Sequence, residues 1–162
     1  SKAYAMTGWR IGFIAAPEWI VKGCNKLQGQ YTSGPCSVSQ KAAEAAYTTS
    51  QECVETMRKA FERRRDLIVE LAKDIPGLEV NKPEGAFYLF PKCSSFFGKS
   101  YNGKKIENST DLAMFLLEVG HVATVGGDAF GDPYCFRMSY ATSDDNIREA
   151  MKRIKDTLAL LA

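Results

Sequence analysis

The sequence predicts an α/β fold in which a small, layered α+β domain follows the edge of a larger domain. Three observations support this prediction. A long amphipathic helix pattern begins near Thr49 and ends at Pro76-Gly77. Short apolar runs separated by Gly, Pro and Asn turns follow it and indicate strands. A second amphipathic helix pattern begins after Ser143. We expect a small mixed or antiparallel sheet packed against a long bridging helix and a C-terminal helix.

The composition is typical of an ordinary globular protein. Of the 162 residues, 45% are hydrophobic and 25% are charged, which suffices for one domain or for one domain and part of another. The formal net charge of +2 does not favour nucleic acid or an acidic membrane surface as a partner. No stretch approaches the roughly 18 apolar residues of a membrane-spanning helix. We therefore expect neither nucleic acid nor a membrane among the partners.

The cysteine and histidine content argues against a disulfide framework and a metal site. The five cysteines are scattered without a Cys-x-x-Cys pair, and His121 is the only histidine. This usage is typical of reduced thiols in a cytoplasmic protein. The chain opens on Ser1-Lys2 without an initiator Met or a signal-like region, so we expect a cytoplasmic protein of which this chain is one part.

Residues 1–48 are predicted to form the edge of the larger domain. An apolar run over 10–16, ended by Pro17, predicts a short buried strand. Helices are predicted next at 18–26 and 37–47, with a loop between them at 29–35.

Residues 49–162 are predicted to form the small domain, beginning with the bridging helix. Thr49 and Glu52 have the spacing of a capping box, and apolar residues then recur with a period near 3.6. A helix of about 25 residues would be about 38 Å long at a rise of roughly 1.5 Å per residue. That length exceeds what a small core needs, which favours a helix that connects two domains.

Shorter elements are predicted after this helix. They are an edge strand at 78–82, a central strand at 86–90, a surface loop or hairpin at 94–109, a short helix at 112–119 and a strand at 122–125.

The last two elements have the clearest patterns of the small domain. In Cys135–Ala141, Phe136, Met138 and Tyr140 alternate with Arg137 and Ser139, which predicts a strand with one polar face. Ser143 is the expected cap of the final helix. The apolar residues of that helix are spaced four, three, four and three apart: Ile147, Met151, Ile154, Leu158 and Leu161.

Lys2 and Arg10 are the first candidates for chemistry. A lysine amine condenses with aldehydes when it is neutral, a form that burial beside other cations favours. Arg10 lies between Gly8 and Gly12, whose small size lets the backbone approach a ligand, and a guanidinium binds a phosphate bidentately. An aldehyde-reactive amine and a phosphate-binding arginine beside an apolar strand are the groups that pyridoxal phosphate requires.

Three segments carry a family resemblance. They are Ser1-Lys2 through Gly8-Trp9-Arg10-Ile11-Gly12, Pro83–Tyr88, and Gly127–Gly131 followed by Phe136–Ala141. The first resembles the cofactor-lysine signature of the class I aminotransferases, which are fold-type-I pyridoxal-phosphate enzymes. The other two resemble the small-domain strand and the substrate-carboxylate segment of the same family. The order of the motifs is similar to that in the bacterial-type aspartate aminotransferases, with this chain as the C-terminal portion.

The resemblance implies roles for three residues. Lys2 binds pyridoxal phosphate through its amine and moves a proton at the substrate α-carbon. Arg10 binds the cofactor phosphate, and Arg137 binds the substrate α-carboxylate. The implied reaction is ping-pong amino transfer between an amino acid and a 2-oxo acid, in a cytoplasmic homodimer.

The chain also departs from the family pattern. In the family, the acidic partner of the pyridinium nitrogen and the aromatic residue that stacks on the ring precede the lysine, so we expect this chain alone to be inactive. Gly126-Gly127 replaces the more usual Val-Pro-Gly, which we expect to loosen that turn. Classical aspartate enzymes of the family bind the second carboxylate of the substrate with an arginine of the neighbouring subunit, from the region that corresponds to the loop before Ser37. This chain has no arginine between Arg10 and Arg58, so the resemblance implies that an acidic substrate requires another cation.

Two other functions remain open from the sequence. Pyridoxal-phosphate lyases of the same fold use the same lysine and arginines, and non-enzymatic sensor domains also share the fold. The basic run Arg63-Arg64-Arg65 lies among the acidic residues Glu55, Glu62 and Asp66. It is therefore interpreted as a solvated, ion-paired helix face rather than a nucleic-acid patch.

Overall fold

Five α-helices and five short β-strands make up the structure, a computed structural model that describes residues 1–162. The helices are α1 (Glu18–Tyr31), α2 (Ser37–Thr48), α3 (Glu52–Lys73), α4 (Ser109–Glu118) and α5 (Asp144–Leu158). The strands are β1 (Tyr88–Leu89), β2 (Ser100–Tyr101), β3 (Lys104–Lys105), β4 (Val125–Gly126) and β5 (Phe136–Ser139). None of the helices has the length and apolar character needed to cross a bilayer.

The chain divides into two compact units. The first unit is Ser1–Lys59 and the second unit is Ala60–Ala162, so that α3 contributes residues to both. The division into 1–48 and 49–162 remains a prediction from the sequence.

The first unit is helical and buries few side chains. Helix α1 has no buried residue, and α2 buries only Ser39. The buried strand predicted at 10–16 is wrong, because this segment forms no strand and Phe13 is 75% exposed. A strand needs a hydrogen-bonded neighbouring strand, and the first unit contains no strand with which 10–16 could pair. Helix α1 also continues through Tyr31, so the predicted loop is shorter than expected.

Helix α3 begins later than the sequence predicts. The hydroxyl of Thr49 donates to the carbonyl of Ala45 at 2.7 Å, so it does not cap α3. The hydroxyl of Ser50 instead accepts from the backbone N–H of Glu52 at 3.3 Å. The capping box is therefore wrong, although the long helix itself is confirmed with 22 residues.

The second unit contains a three-stranded antiparallel sheet with the order β1-β5-β4. Tyr88 of β1 lies opposite Ser139 of β5, and Val125 of β4 lies opposite Arg137. Strands β2 and β3 form a separate antiparallel hairpin, as predicted for 94–109. The strands predicted at 78–82 and 122–125 are mostly absent, because only Glu79, in an isolated bridge, and Val125, the first residue of β4, are paired there.

One apolar core holds the second unit together. Side chains of α3 and α5 join those of the sheet. The five apolar positions predicted for the final helix are all buried, although α5 ends at Leu158 and Leu161 lies beyond it. In β5, Phe136 and Met138 are buried, Arg137 is half-buried and Ser139 is exposed, which confirms the predicted alternation. Ser143 caps α5 by accepting from Asn146 N–H at 3.2 Å. The predicted α/β class, with a small antiparallel sheet and two long helices, is confirmed.

The basic residues of α3 form ion pairs, as expected. Arg63 donates two hydrogen bonds to Asp144 of α5, and Arg64 donates a third. Arg65 pairs with Asp66 at 2.9 Å. These contacts connect α3 to the start of α5 and match the interpretation as an ion-paired helix face.

A glycine at position 127 is required by a close backbone approach. A Cβ at Gly127 would collide with the carbonyl oxygens of Asp132 and Cys135. We expect Gly127→Ala to lower the free energy of unfolding by about 1–3 kcal/mol, since overpacking a rigid backbone contact has this effect. Thermal or urea denaturation measures the change. Gly85→Ala is the matched control, because a Cβ there meets no atom within 4 Å. An equal free energy of unfolding for Gly127→Ala and Gly85→Ala would contradict the requirement for glycine at position 127.

Candidate active site

Residues 1–11 form a loop, called here the N-terminal loop, whose two ends are in contact. The hydroxyl of Ser1 donates to the carbonyl of Ile11 at 2.6 Å, and the N–H of Met6 donates to the carbonyl of Ser1 at 2.7 Å. Because Ser1 adjoins Lys2 and Ile11 adjoins Arg10, the two predicted cofactor residues lie at the closed end of one loop.

Lys2 lies on the surface of the first unit. Its carbonyl accepts from the N–H of Ala5 at 3.2 Å, which closes a turn over residues 2–5. The side chain is exposed and forms no hydrogen bond or ion pair within this unit. Burial of the amine, which the sequence argument favours, is therefore not provided by the first unit itself.

Arg10 lies beside a broad open groove of the first unit. Its backbone has φ 52° and ψ 48°, the left-handed region that non-glycine residues rarely adopt. One guanidinium nitrogen donates to the carbonyl of Thr7 at 3.0 Å, which leaves its other N–H groups free. The groove measures about 1430 Å³, and a Cβ at Gly8 or Gly12 would meet no atom within 4 Å. The site can therefore admit an anionic group beside the guanidinium.

Arg137 projects from the central strand β5 and contacts one aromatic ring of β1 and one of the 3₁₀ helix Gly127–Phe130. Its guanidinium carbon lies 4.4 Å from the ring centroid of Tyr88 and 4.1 Å from that of Phe130. The side chain is half-buried and forms no salt bridge with an acidic residue of this unit. A half-buried cation without an acidic partner has the chemistry to bind an external carboxylate.

Phe130 is positioned by the start of α4. It ends a short 3₁₀ helix, Gly127–Phe130, whose first N–H donates to the buried hydroxyl of Ser109 at 3.0 Å. The hydroxyls of Ser109 and Thr110 donate to Asp128 at 3.4 and 3.2 Å. These bonds hold the Gly126-Gly127 turn that the sequence argument expected to be loose.

Sequence reasoning missed the roles of Tyr88 and Phe130. Both belong to motifs that carry the family resemblance: Tyr88 ends the segment Pro83–Tyr88, and Phe130 precedes the last residue of Gly127–Gly131. Neither received a role, because the contact of the two rings with Arg137 depends on the β1-β5-β4 strand order, which the sequence pattern did not specify.

Comparison with known families decides the assignment. A family model described as "Aminotransferase class I and II" matches residues 1–154. The chain belongs to this aminotransferase family. The resemblance inferred from the Ser1-Lys2 and Arg137 segments is thereby confirmed.

Curated relatives of this aminotransferase-family chain share close to half of its sequence. It is 47% identical to the bifunctional aspartate aminotransferase and glutamate/aspartate-prephenate aminotransferase of Petunia hybrida, over 99% of this chain and 34% of that protein. It is also 47% identical to the aspartate aminotransferase of Rhizobium meliloti (strain 1021), over 95% of this chain and 38% of that protein. The chain therefore spans between a third and two fifths of the length of these relatives.

Solved structures of the family show the same fold. The aspartate aminotransferase from Rhizobium meliloti superposes with a TM-score of 0.93 at 44% identity, over 99% of this chain and 40% of that chain. The aromatic aminotransferase from Pyrococcus horikoshii OT3 gives a TM-score of 0.84 at 37% identity, over 98% and 41% of the two chains.

The five cysteines are all free and fall into two environments. Burial raises the pKa of the Cys93 thiol to about 12 and that of the Cys135 thiol to about 11. Cys36 lines the groove beside Arg10 and precedes α2. Hydrogen bonds from the backbone N–H groups of Ser39 and Val38 lower the pKa of its thiol.

These environments predict how the thiols react. Near pH 7, we expect dithiobis(nitrobenzoate) to label the exposed Cys24, Cys36 and Cys53 in the native chain and to label Cys93 and Cys135 only after unfolding, since the thiolate is the reactive form. Cys36 should react first, and its rate should fall as the pH drops through its lowered pKa. Cys36→Ser should remove the fastest phase, whereas Cys24→Ser should retain it. Labelling of Cys93 in the native chain would contradict this assignment.

Proposed function

We propose that this chain is the C-terminal part of a pyridoxal-phosphate-dependent aminotransferase that transfers an amino group between an amino acid and a 2-oxo acid. The observation that carries the proposal is the hydrogen bond that closes the N-terminal loop between the neighbours of Lys2 and Arg10, two residues whose amine and remaining guanidinium N–H groups have no partner. The proposal extends to the aspartate-type substrates named for the relatives and to a cytoplasmic homodimer. The chain alone is proposed to lack turnover.

Lys2 and Arg10 are the residues that would hold the cofactor. The amine is a primary amine without a competing partner in the first unit, so it is free to bond to an aldehyde. The guanidinium keeps N–H donors free beside an open groove, which suits a phosphate. When bound, pyridoxal phosphate supplies an electron-withdrawing ring that stabilises negative charge at the substrate α-carbon.

Lys2 has a second role in the proposal. When it is not bonded to the cofactor, its amine would take the proton that leaves the substrate α-carbon and would deliver it to the cofactor's aldehyde carbon. The absence of a hydrogen-bond partner in the first unit leaves the long side chain free to move between these positions.

Arg137 is proposed to bind the α-carboxylate. An amino acid and a 2-oxo acid both carry this group, so one arginine serves both halves of a ping-pong reaction. Its freedom from an acidic partner supports this role, because an internal salt bridge would compete with the substrate. For a substrate with a second carboxylate, no arginine between Arg10 and Arg58 is available, so another cation is needed.

The surface of the first unit supports its assignment to a larger domain. Trp19, Leu27 and Tyr31 of α1 are 76%, 62% and 83% exposed. A helix without a fully buried residue gains little from packing within its own unit, and its exposed apolar residues are available for contact with another body.

The proposal is tested with a chimera in which residues 1–162 replace the matching segment of the Rhizobium meliloti aspartate aminotransferase. We expect the chimera to transfer the amino group of aspartate to a 2-oxo acid. Lys2→Ala should lower its kcat by at least about 100-fold, because a positioned acid–base group contributes about 10²–10⁴-fold. A coupled assay of the 2-oxo acid product measures the rate.

Lys26→Ala is the control for this experiment, because Lys26 is exposed and does not line the groove. It should retain the full rate. Full activity of the Lys2→Ala chimera would refute the role of Lys2. Release of ammonia by the chimera, without dependence on a 2-oxo acid, would instead favour the lyase alternative.

The role of Arg137 makes a separate prediction. We expect Arg137→Lys in the chimera to raise KM for both the amino acid and the 2-oxo acid by about 10–100-fold, since a hydrogen bond to a charged group contributes about 1.5–3 kcal/mol and lysine cannot bind bidentately. Steady-state kinetics with each substrate varied in turn measure the effect. Arg153→Lys, at an exposed pair with Glu149, should leave both constants unchanged. An unchanged KM in Arg137→Lys would remove Arg137 from the site.

A further inference from the structure

We propose that Tyr88 and Phe130, called here the aromatic pair, are positioning residues that hold the Arg137 guanidinium ready for a substrate carboxylate. This inference rests on the proposed function, in which Arg137 binds that carboxylate. The pair would act through Arg137 and not by contact with the reacting atoms.

The first support is the geometry of the two contacts. The guanidinium carbon lies over both rings, at 4.4 Å from the centroid of Tyr88 and 4.1 Å from that of Phe130. Both distances are well within the roughly 6 Å range of a cation–π contact. Two such contacts on one arginine restrict its rotamers, so that less conformational freedom is lost when a ligand binds.

The second support is that burial alone does not explain the contact. Phe130 remains 44% exposed, and Tyr88 is only half-buried. Neither ring belongs to the apolar core of the second unit or packs against it, as Phe136 and Phe87 do. The ring of Phe130 instead lies at the surface of the second unit with Arg137 against it.

The third support is that each ring is itself held in place. Tyr88 belongs to β1, directly paired with β5, and its ring lies 4.5 Å from that of Phe87. Phe130 ends the 3₁₀ helix that the fully buried Ser109 fixes through the N–H of Gly127. Its ring also meets that of Phe90 edge-to-face at 6.1 Å.

The chemistry of a guanidinium explains why aromatic rings suit this task. Its five N–H donors lie in its plane, so a ring that contacts the flat face leaves those donors free. A carboxylate partner would also hold the arginine but would occupy the same donors as the substrate. The aromatic pair therefore orients the cation and keeps its hydrogen-bonding edge available.

Nitrogen-15 NMR of the 162-residue chain tests the proposal without any cofactor. The Nε–Hε signal of Arg137, assigned by its loss in Arg137→Lys, should be displaced by the ring currents of the aromatic pair. Titration with acetate and with pyruvate should move this signal. In Phe130→Leu and Tyr88→Leu, the displacement should shrink and carboxylate binding should weaken by roughly three- to tenfold.

The controls separate orientation from folding. Phe130→Tyr and Tyr88→Phe keep the ring and should keep both the displaced signal and the affinity. Tyr134→Leu removes an exposed ring, 55% accessible, that packs on Phe97 and not on Arg137, and it should change neither. The backbone amide spectrum of each variant reports whether the second unit remains folded.

The outcomes distinguish the inference from the proposed function. An undisplaced Arg137 signal in the unchanged chain, or equal carboxylate affinity in Phe130→Leu, Tyr88→Leu and the unchanged chain, would overturn the positioning role while Arg137 still binds carboxylate. If carboxylates move no Arg137 signal even in the unchanged chain, the proposed role of Arg137 fails and the inference fails with it.

Discussion

The pairing of β5 with β1 on one side and β4 on the other is the constraint on which the second unit depends. It places Phe136 and Met138 in the core and turns Arg137 to the opposite face. The same pairing brings β1, with Tyr88, alongside the strand that carries the arginine. The alternation of side chains along β5 therefore places apolar residues in the core and the Arg137 guanidinium on the opposite face.

The candidate residues of the first unit lie where the chain forms few internal contacts. In the first unit, the Ser1–Ile11 hydrogen bond closes a loop whose two candidate residues remain exposed, and α1 buries nothing. In the second unit, by contrast, α3, α5 and the sheet share one core. Two of the three proposed binding residues, Lys2 and Arg10, thus lie outside the core, whereas the third, Arg137, lies on a core strand.

Local patterns predicted the elements whose stability is local. The four buried apolar positions within α5 and the Ser143 cap could be inferred because helix periodicity and capping depend on residues within a few positions. The strand at 10–16 could not be judged, since a strand exists only through a distant partner and the first unit supplies none. For the same reason Lys2, Arg10 and Arg137 could be singled out by motif, whereas Tyr88 and Phe130 became visible only once the strand order was known.

The central claim is that Lys2 is the lysine that receives the cofactor, with Arg10 on the same loop. Borohydride reduction of the chimera in the presence of pyridoxal phosphate, followed by peptide mass spectrometry, tests it most directly. The account predicts that the pyridoxyl group is found on Lys2 and that Arg10→Ala lowers its yield. A pyridoxyl group spread over surface lysines such as Lys22 and Lys26, with Lys2 unmodified, would contradict it.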